Sequence, residues 1–164
     1  MDNQLVMVGG YAKGWRLLNT IEVISKTKAT TLDAKLPHGI LGSCVIAWDE
    51  TTLFVVGGVS DETYSDKRTY FVDLKSNSFT KGPELKNGRS DHACQELKVQ
   101  DKLYIVVTGG HGKGAQTTEI LDKSDIAKGW MEGKYFLITL GQKPTFYPET
   151  PLILVVQKCE FCEK

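Results

Sequence analysis

The sequence predicts an all-β fold built from a repeated unit of about four short strands. Three observations carry this prediction. An apolar run ending in two glycines occurs three times, as Leu5-Val6-Met7-Val8-Gly9-Gly10, Leu53-Phe54-Val55-Val56-Gly57-Gly58 and Leu103-Tyr104-Ile105-Val106-Val107-Thr108-Gly109-Gly110. A second β-type run follows each pair after a polar loop, and a large aromatic stands about 20 residues past the second and third pairs, at Phe79 and Trp130. The first repeat has only Thr30 or Thr31 in that place.

Taken in order, residues 5–8, 53–56 and 103–108 are short and rich in branched apolar side chains, which suits a buried strand. Gly9, Gly10, Gly57, Gly58, Gly109 and Gly110 are structural glycines: they can take positive φ where the strand ends and let neighbouring backbone approach closely. The runs Thr20 to Ile24, Arg68 to Asp73 and Thr117 to Asp122 read as the next strands. Two more, around Gly42 to Trp48 and Asp91 to Val99, precede the later glycine strands and join them through turns at residues 49–52 and 100–102. A period of about 50 residues with four strands per unit is the signature of propeller blades.

Composition bounds the role. The 164 residues make one ordinary domain, with 41% hydrophobic and 24% charged residues, so global disorder is not expected. Twenty basic residues balance twenty acidic ones. No basic excess is present for nucleic acid or an anionic membrane, and neither is expected as a partner. The start of the chain, with Asp2 and a four-residue apolar run, does not read as a secretory signal, and four scattered cysteines are not a disulfide framework, so a cytoplasmic location with reduced thiols is expected.

The glycine pairs, the strand closing near an Asp and the aromatic some 20 residues on resemble the Kelch repeat over roughly residues 4–133. Thr80-Lys81-Gly82-Pro83-Glu84-Leu85 and Gly88-Arg89-Ser90-Asp91-His92-Ala93 are similar to that family's connection between blades. The resemblance implies a partial Kelch-type β-propeller of about three four-stranded antiparallel blades, near residues 1–37, 38–87 and 88–133, followed by a divergent C-terminal tail over 134–164. Three blades do not close a ring, so self-association through open blade edges is expected. Within the tail, the apolar run from Pro151 to Gln157 either adds a strand to the exposed edge of the first or third blade or is non-native tail sequence from a truncated or altered transcript, which the abrupt departure from the repeat pattern favours.

The chemical motifs are weak. Thr108 to Gly114 lacks the Gly-Lys-Ser/Thr ending of a phosphate loop, because Ala115 follows Gly114. Ser90, Asp91 and His92 are adjacent on an extended chain and cannot converge as a triad. Cys159 and Cys162 are half of a zinc site, and Cys44 and Cys94 read as small buried residues at equivalent points of two blades. No catalytic residue, metal or cofactor is expected. Function is placed instead in the loops, as a non-catalytic module that binds a protein partner. Candidate contacts are Tyr11, Trp15 and Arg16 in the first loop, Asp61 and Tyr64 in the second, and His111 in the third. Arg89 joins them either as a ligand contact, since the resemblance implies an Arg on the binding face, or as a structural ion pair, with His92 tucked against the next strand. The family implication is substrate recognition or scaffolding. The alternatives are a fragment of a galactose oxidase-like propeller enzyme, for which only His38, His92 and His111 could supply histidine ligands, or a degenerate truncated product.

Overall fold

Burial alternates along the runs ahead of the first and third glycine pairs, as in strands with two unlike faces. In the computed structural model, which describes residues 5–133 and 154–155, Val6 and Val8 are buried while Leu5 and Met7 are half-covered. The first repeat contributes β1 (Leu5–Val8), β2 (Tyr11–Ala12), β3 (Arg16–Leu17), β4 (Ile21–Ile24) and β5 (Ala29–Thr31). The second contributes β6 (Ile40–Leu41), β7 (Cys44–Ala47), β8 (Thr52–Val56), β9 (Val59–Ser60), β10 (Thr69–Asp73) and β11 (Ser78–Lys81). The third contributes β12 (Ala93–Val99), β13 (Lys102–Thr108), β14 (Thr118–Asp122) and β15 (Met131–Gly133), and β16 (Leu154–Val155) follows.

These strands form three four-stranded sheets, ordered β16-β1-β4-β5, β7-β8-β10-β11 and β12-β13-β14-β15, beside the two-stranded ladders β2-β3 and β6-β9. The glycine-pair strand is second in each sheet. The second and third sheets are antiparallel throughout. In the first sheet β16 runs parallel to β1, with Leu154 opposite Leu5 and Val155 opposite Val6. The remaining tail residues, 134–153 and 156–164, lie outside the described residues. Among the described residues no sheet closes on itself, and no helix is long and apolar enough to cross a membrane.

Two cores separate the three sheets. Val6, Val8 and Ile21 of the first sheet meet Leu53, Val55, Tyr70 and Val72 of the second, with Leu36 and Ile40 from the connecting segment. Phe54 and Val56 point the other way and meet Ile105, Val107, Leu121 and Trp130. Residues Leu53 to Val56 are therefore all fully buried, the pattern of a strand covered on both faces. Trp130 lies between the second and third sheets, stacked 6.1 Å from Phe54, and its indole N–H donates to the Pro83 carbonyl at 2.8 Å. Phe79 packs edge-on against Tyr70 on the first core.

All six glycines of the three pairs have positive φ. Two show why a side chain would not fit: a Cβ on Gly57 would fall 2.6 Å from the Arg89 carbonyl oxygen, and one on Gly110 would fall 2.3 Å from that of Ser90. The aspartates that end β10 and β14 have a local task. Asp73 accepts from the N–H groups of Lys75 and Ser76, and Asp122 from that of Ser124, which fixes the turn after each strand.

Cys44 and Cys94 do occupy equivalent edge strands, β7 and β12. They are not two separate apolar side chains, however: the sulfurs are joined in a disulfide across 6.0 Å between Cα atoms. Cys44 stands opposite Val56 and Cys94 opposite Val107, one residue out of register between the repeats, so alternation turns the two side chains toward each other between neighbouring sheets.

Candidate functional site

The candidate site is a cleft between the loops that follow the first and second glycine pairs. On one side, β2 and β3 pair as a short hairpin, Tyr11 opposite Leu17 and Ala12 opposite Arg16, so Lys13, Gly14 and Trp15 form its tip. Gly14 has φ +85°, and Trp15 has φ +62°, a left-handed conformation that costs a bulky residue strain. The turn holds the indole outward, 83% exposed, and its ring stacks on Tyr11 with centroids 5.6 Å apart and planes 9° from parallel.

On the other side, residues 59–68 are organised by Arg68. Its Nε donates to both Asp66 carboxylate oxygens at 2.9 and 2.8 Å, its Nη2 to Ser60 Oγ at 3.0 Å and its Nη1 to Glu62 at 3.0 Å. Burial raises the Asp66 carboxyl, but hydrogen bonds and charge from Arg68 outweigh it and hold the group below the usual carboxylate range. The bond to Asp66 in turn pushes Arg68 further up. Backbone bonds Ser60 N–H to Thr63 and Asp66 N–H to Gly58, both 2.8 Å, complete a fixed loop. Tyr64 stands at its tip, 86% exposed.

The cleft between hairpin and loop measures about 530 Å³. Leu17, Leu41 and Val59 give it apolar lining, Trp15 and Tyr64 aromatic lining, and the stretch Ser60 to Thr63 a polar lining with two carboxylates. Exposed Trp and Tyr on rigid supports are well suited to anchoring a partner, since they bury large areas while losing little conformational freedom.

Of the residues singled out in the sequence, Trp15, Asp61 and Tyr64 line this cleft, and Tyr11 supports Trp15 from behind. Arg16 is exposed on β3 but is not part of the lining. His111 is exposed on the third repeat, bridged through its backbone to Ser90, and also lies outside the cleft lining. Of the two readings of Arg89 the ion pair holds and the contact is corrected, because the residue is fully buried against Glu119. Its guanidinium donates to Glu119 at 2.8 Å, to the Thr117 hydroxyl at 2.8 Å and to the Thr117 carbonyl at 3.0 Å, so no partner can reach it without unpacking the connection. Leu17, Leu41, Val59, Glu62 and Arg68 were not anticipated. Apolar residues flanking a glycine pair look like core in a sequence, and nothing in a local pattern distinguishes a loop-clamping Arg from a solvated one.

The three histidines sit apart in character. His111 is exposed, whereas His38 is held 3.6 Å from Asp66 and edge-on to Tyr70. His92 is buried beside Gly57 and Gly110, with neither ring nitrogen hydrogen-bonded. Burial, then the Arg89 charge, push its pKa down to about 4. The unfolded chain therefore takes up this proton first, near pH 6.5. Stability from His92 is complete above that value and falls by about 3 kcal/mol as pH drops toward 4. Thermal unfolding from pH 7 to pH 4 should show a steeper loss of Tm in the parent than in His92→Gln; parallel curves would exclude this role. Among the described residues no group of three or more His, Cys, Asp or Glu side chains is placed to hold a metal ion.

No family model matches the chain, and no curated protein matches it significantly.

Proposed function

We propose that the chain is a non-catalytic protein-interaction module of Kelch type, whose three sheets are blades of a propeller and whose partner binds the cleft flanked by Trp15 and Tyr64. The observation that carries the reading is the pairing of two strongly exposed aromatics, one on a strained hairpin tip and one on a loop tied down by Arg68. Support for the propeller comes from the repeated sheet order, with each glycine-pair strand in second place. A role in substrate recognition or scaffolding follows from that resemblance. The proposal includes a cytoplasmic location, where the Cys44–Cys94 disulfide would face reduction by glutathione and thioredoxin.

The test compares proteins captured by the parent, by Trp15→Ala/Tyr64→Ala and by His111→Ala. Partners that depend on the cleft should bind the double variant about thirtyfold more weakly, as loss of an aromatic anchor implies, while His111→Ala keeps them. Equal capture by all three, with unchanged circular dichroism, would move the partner face elsewhere.

A further inference from the structure

The middle sheet displays a covered face in this fold. Phe54 and Val56 of β8, with Phe71 opposite Phe54 on β10, pack against the third sheet. Superposing the glycine pairs in sequence places Val106 and Thr108 of β13 where Phe54 and Val56 stand, and the partner of Val106 on β14 is Ile120. Tyr104, Val106 and Ile120 are only half-buried, and Met131, opposite Ile120, is 44% exposed. The glycines record the same difference. A Cβ on Gly9 would meet the Ile40 carbonyl oxygen at 2.3 Å and one on Gly57 that of Arg89 at 2.6 Å, whereas at Gly109 nothing among the described residues lies within 4 Å.

The first sheet leaves the complementary kind of face. Val6 and Val8 turn toward the second sheet, so alternation sends Leu5 and Met7 to the other side, with Ile24 and Glu22 opposite them on β4. By the same alignment these positions correspond to Leu53 and Val55, the residues with which β8 packs on the sheet before it.

We propose that a second copy of this chain covers both faces, the third sheet of each copy stacking on the first sheet of the other. The occupant follows from the repeat. Both internal interfaces join one face of the Val106 kind to one of the Leu5 kind, and the described sheets leave one of each uncovered. Lys102 and Asp122, which share the third-sheet face, lie 3.7 Å apart and balance each other, so no net charge from this pair opposes burial. Head-to-tail contacts either close or polymerise. Two copies bring together twice three sheets, about six, inside the range of four to eight blades in which propellers close. That closure rests on the propeller reading; the assignment of the two faces does not.

Sedimentation of the full chain should reveal a concentration-dependent species of twice the 18.2 kDa chain mass. Met7→Lys and Val106→Glu should each raise the dissociation constant at least about tenfold with unchanged circular dichroism, and Met131→Lys, at an already exposed position, should do the same. An equimolar mixture of Met7→Lys and Val106→Glu should recover the dimer, because one junction is then unaltered and the other gains a Lys–Glu pair. A parent that stays monomeric at tens of micromolar (on the order of 50 μM, a weak-dimer scale), or variants that all associate like the parent, would overturn the face assignment. A ladder of larger assemblies would overturn closure, and with it the propeller reading, while leaving the faces in place.

Discussion

Arg89→Ala is expected to destabilise the chain by about 3–5 kcal/mol, the cost of leaving a buried charge without its partner. Arg89 and Glu119 are both fully buried and joined at 2.8 Å. The Glu119 carboxylate also accepts from the backbone N–H groups of Lys86 and Asn87, at 2.7 and 3.1 Å. The pair thus fastens the segment between the second and third sheets to β14. Removing the guanidinium leaves a carboxylate with two N–H donors and no countercharge, in a site closed to water. Replacing both partners, as Arg89→Met/Glu119→Leu, should cost less than Arg89→Ala alone, since no unpaired charge then remains, although the two N–H groups lose their acceptor. Urea unfolding measures the difference. A cost below about 1 kcal/mol for Arg89→Ala, the range of an exposed pair, would mean that this ion pair is not closed from solvent.

Breaking the Cys44–Cys94 link is expected to cost nearly as much. The bond closes a loop with a sequence separation of 50, and the chain-entropy relation gives about 4 kcal/mol for that length. The Cys44→Ser/Cys94→Ser variant should lose that stability, and dithiothreitol should destabilise the parent without affecting the variant. Alkylation of freshly lysed cells, before and after reduction, would count how much of the pair is bonded in place. A mostly alkylated pair fits the proposed cytoplasmic location; a fully protected pair would move the chain to an oxidising compartment. Identical unfolding of parent and variant under oxidising conditions would remove the bond from the account of stability altogether.

The strands were legible because their signals are local. Gly57 and Gly58 mark the end of β8 whatever surrounds them, and Asp73 fixes its turn with the N–H groups of Lys75 and Ser76. Even the spacing of Trp130 from Gly110 could be read, since it matches that of Phe79 from Gly58 in the preceding repeat. What was hidden depends on neighbours distant in the chain. Arg89 carries the same charge whether it faces solvent or Glu119, which lies 30 positions later. Cys44 and Cys94 read as equivalent points of two repeats, but Cys44 stands opposite Val56 and Cys94 opposite Val107, one residue out of register, and only the paired strands show that this turns the two side chains toward each other. The cleft was half legible: Trp15 and Tyr64 stand out by type, but their confrontation depends on how the first two repeats stack.

The burial of β8 on both faces has a consequence for the order in which the fold comes apart. In a stack of sheets each unit is held only by its neighbours, so the outer two have one supporting interface and the middle one has two. In a single copy thermal fluctuations should therefore peel the stack from its ends, with the amide protons of β8 and β10 exchanging with solvent only through the largest openings. Both loops of the cleft are rooted at the margin between an outer sheet and this protected centre, so the Trp15 hairpin can loosen with the first sheet while the Tyr64 loop stays fixed to the second.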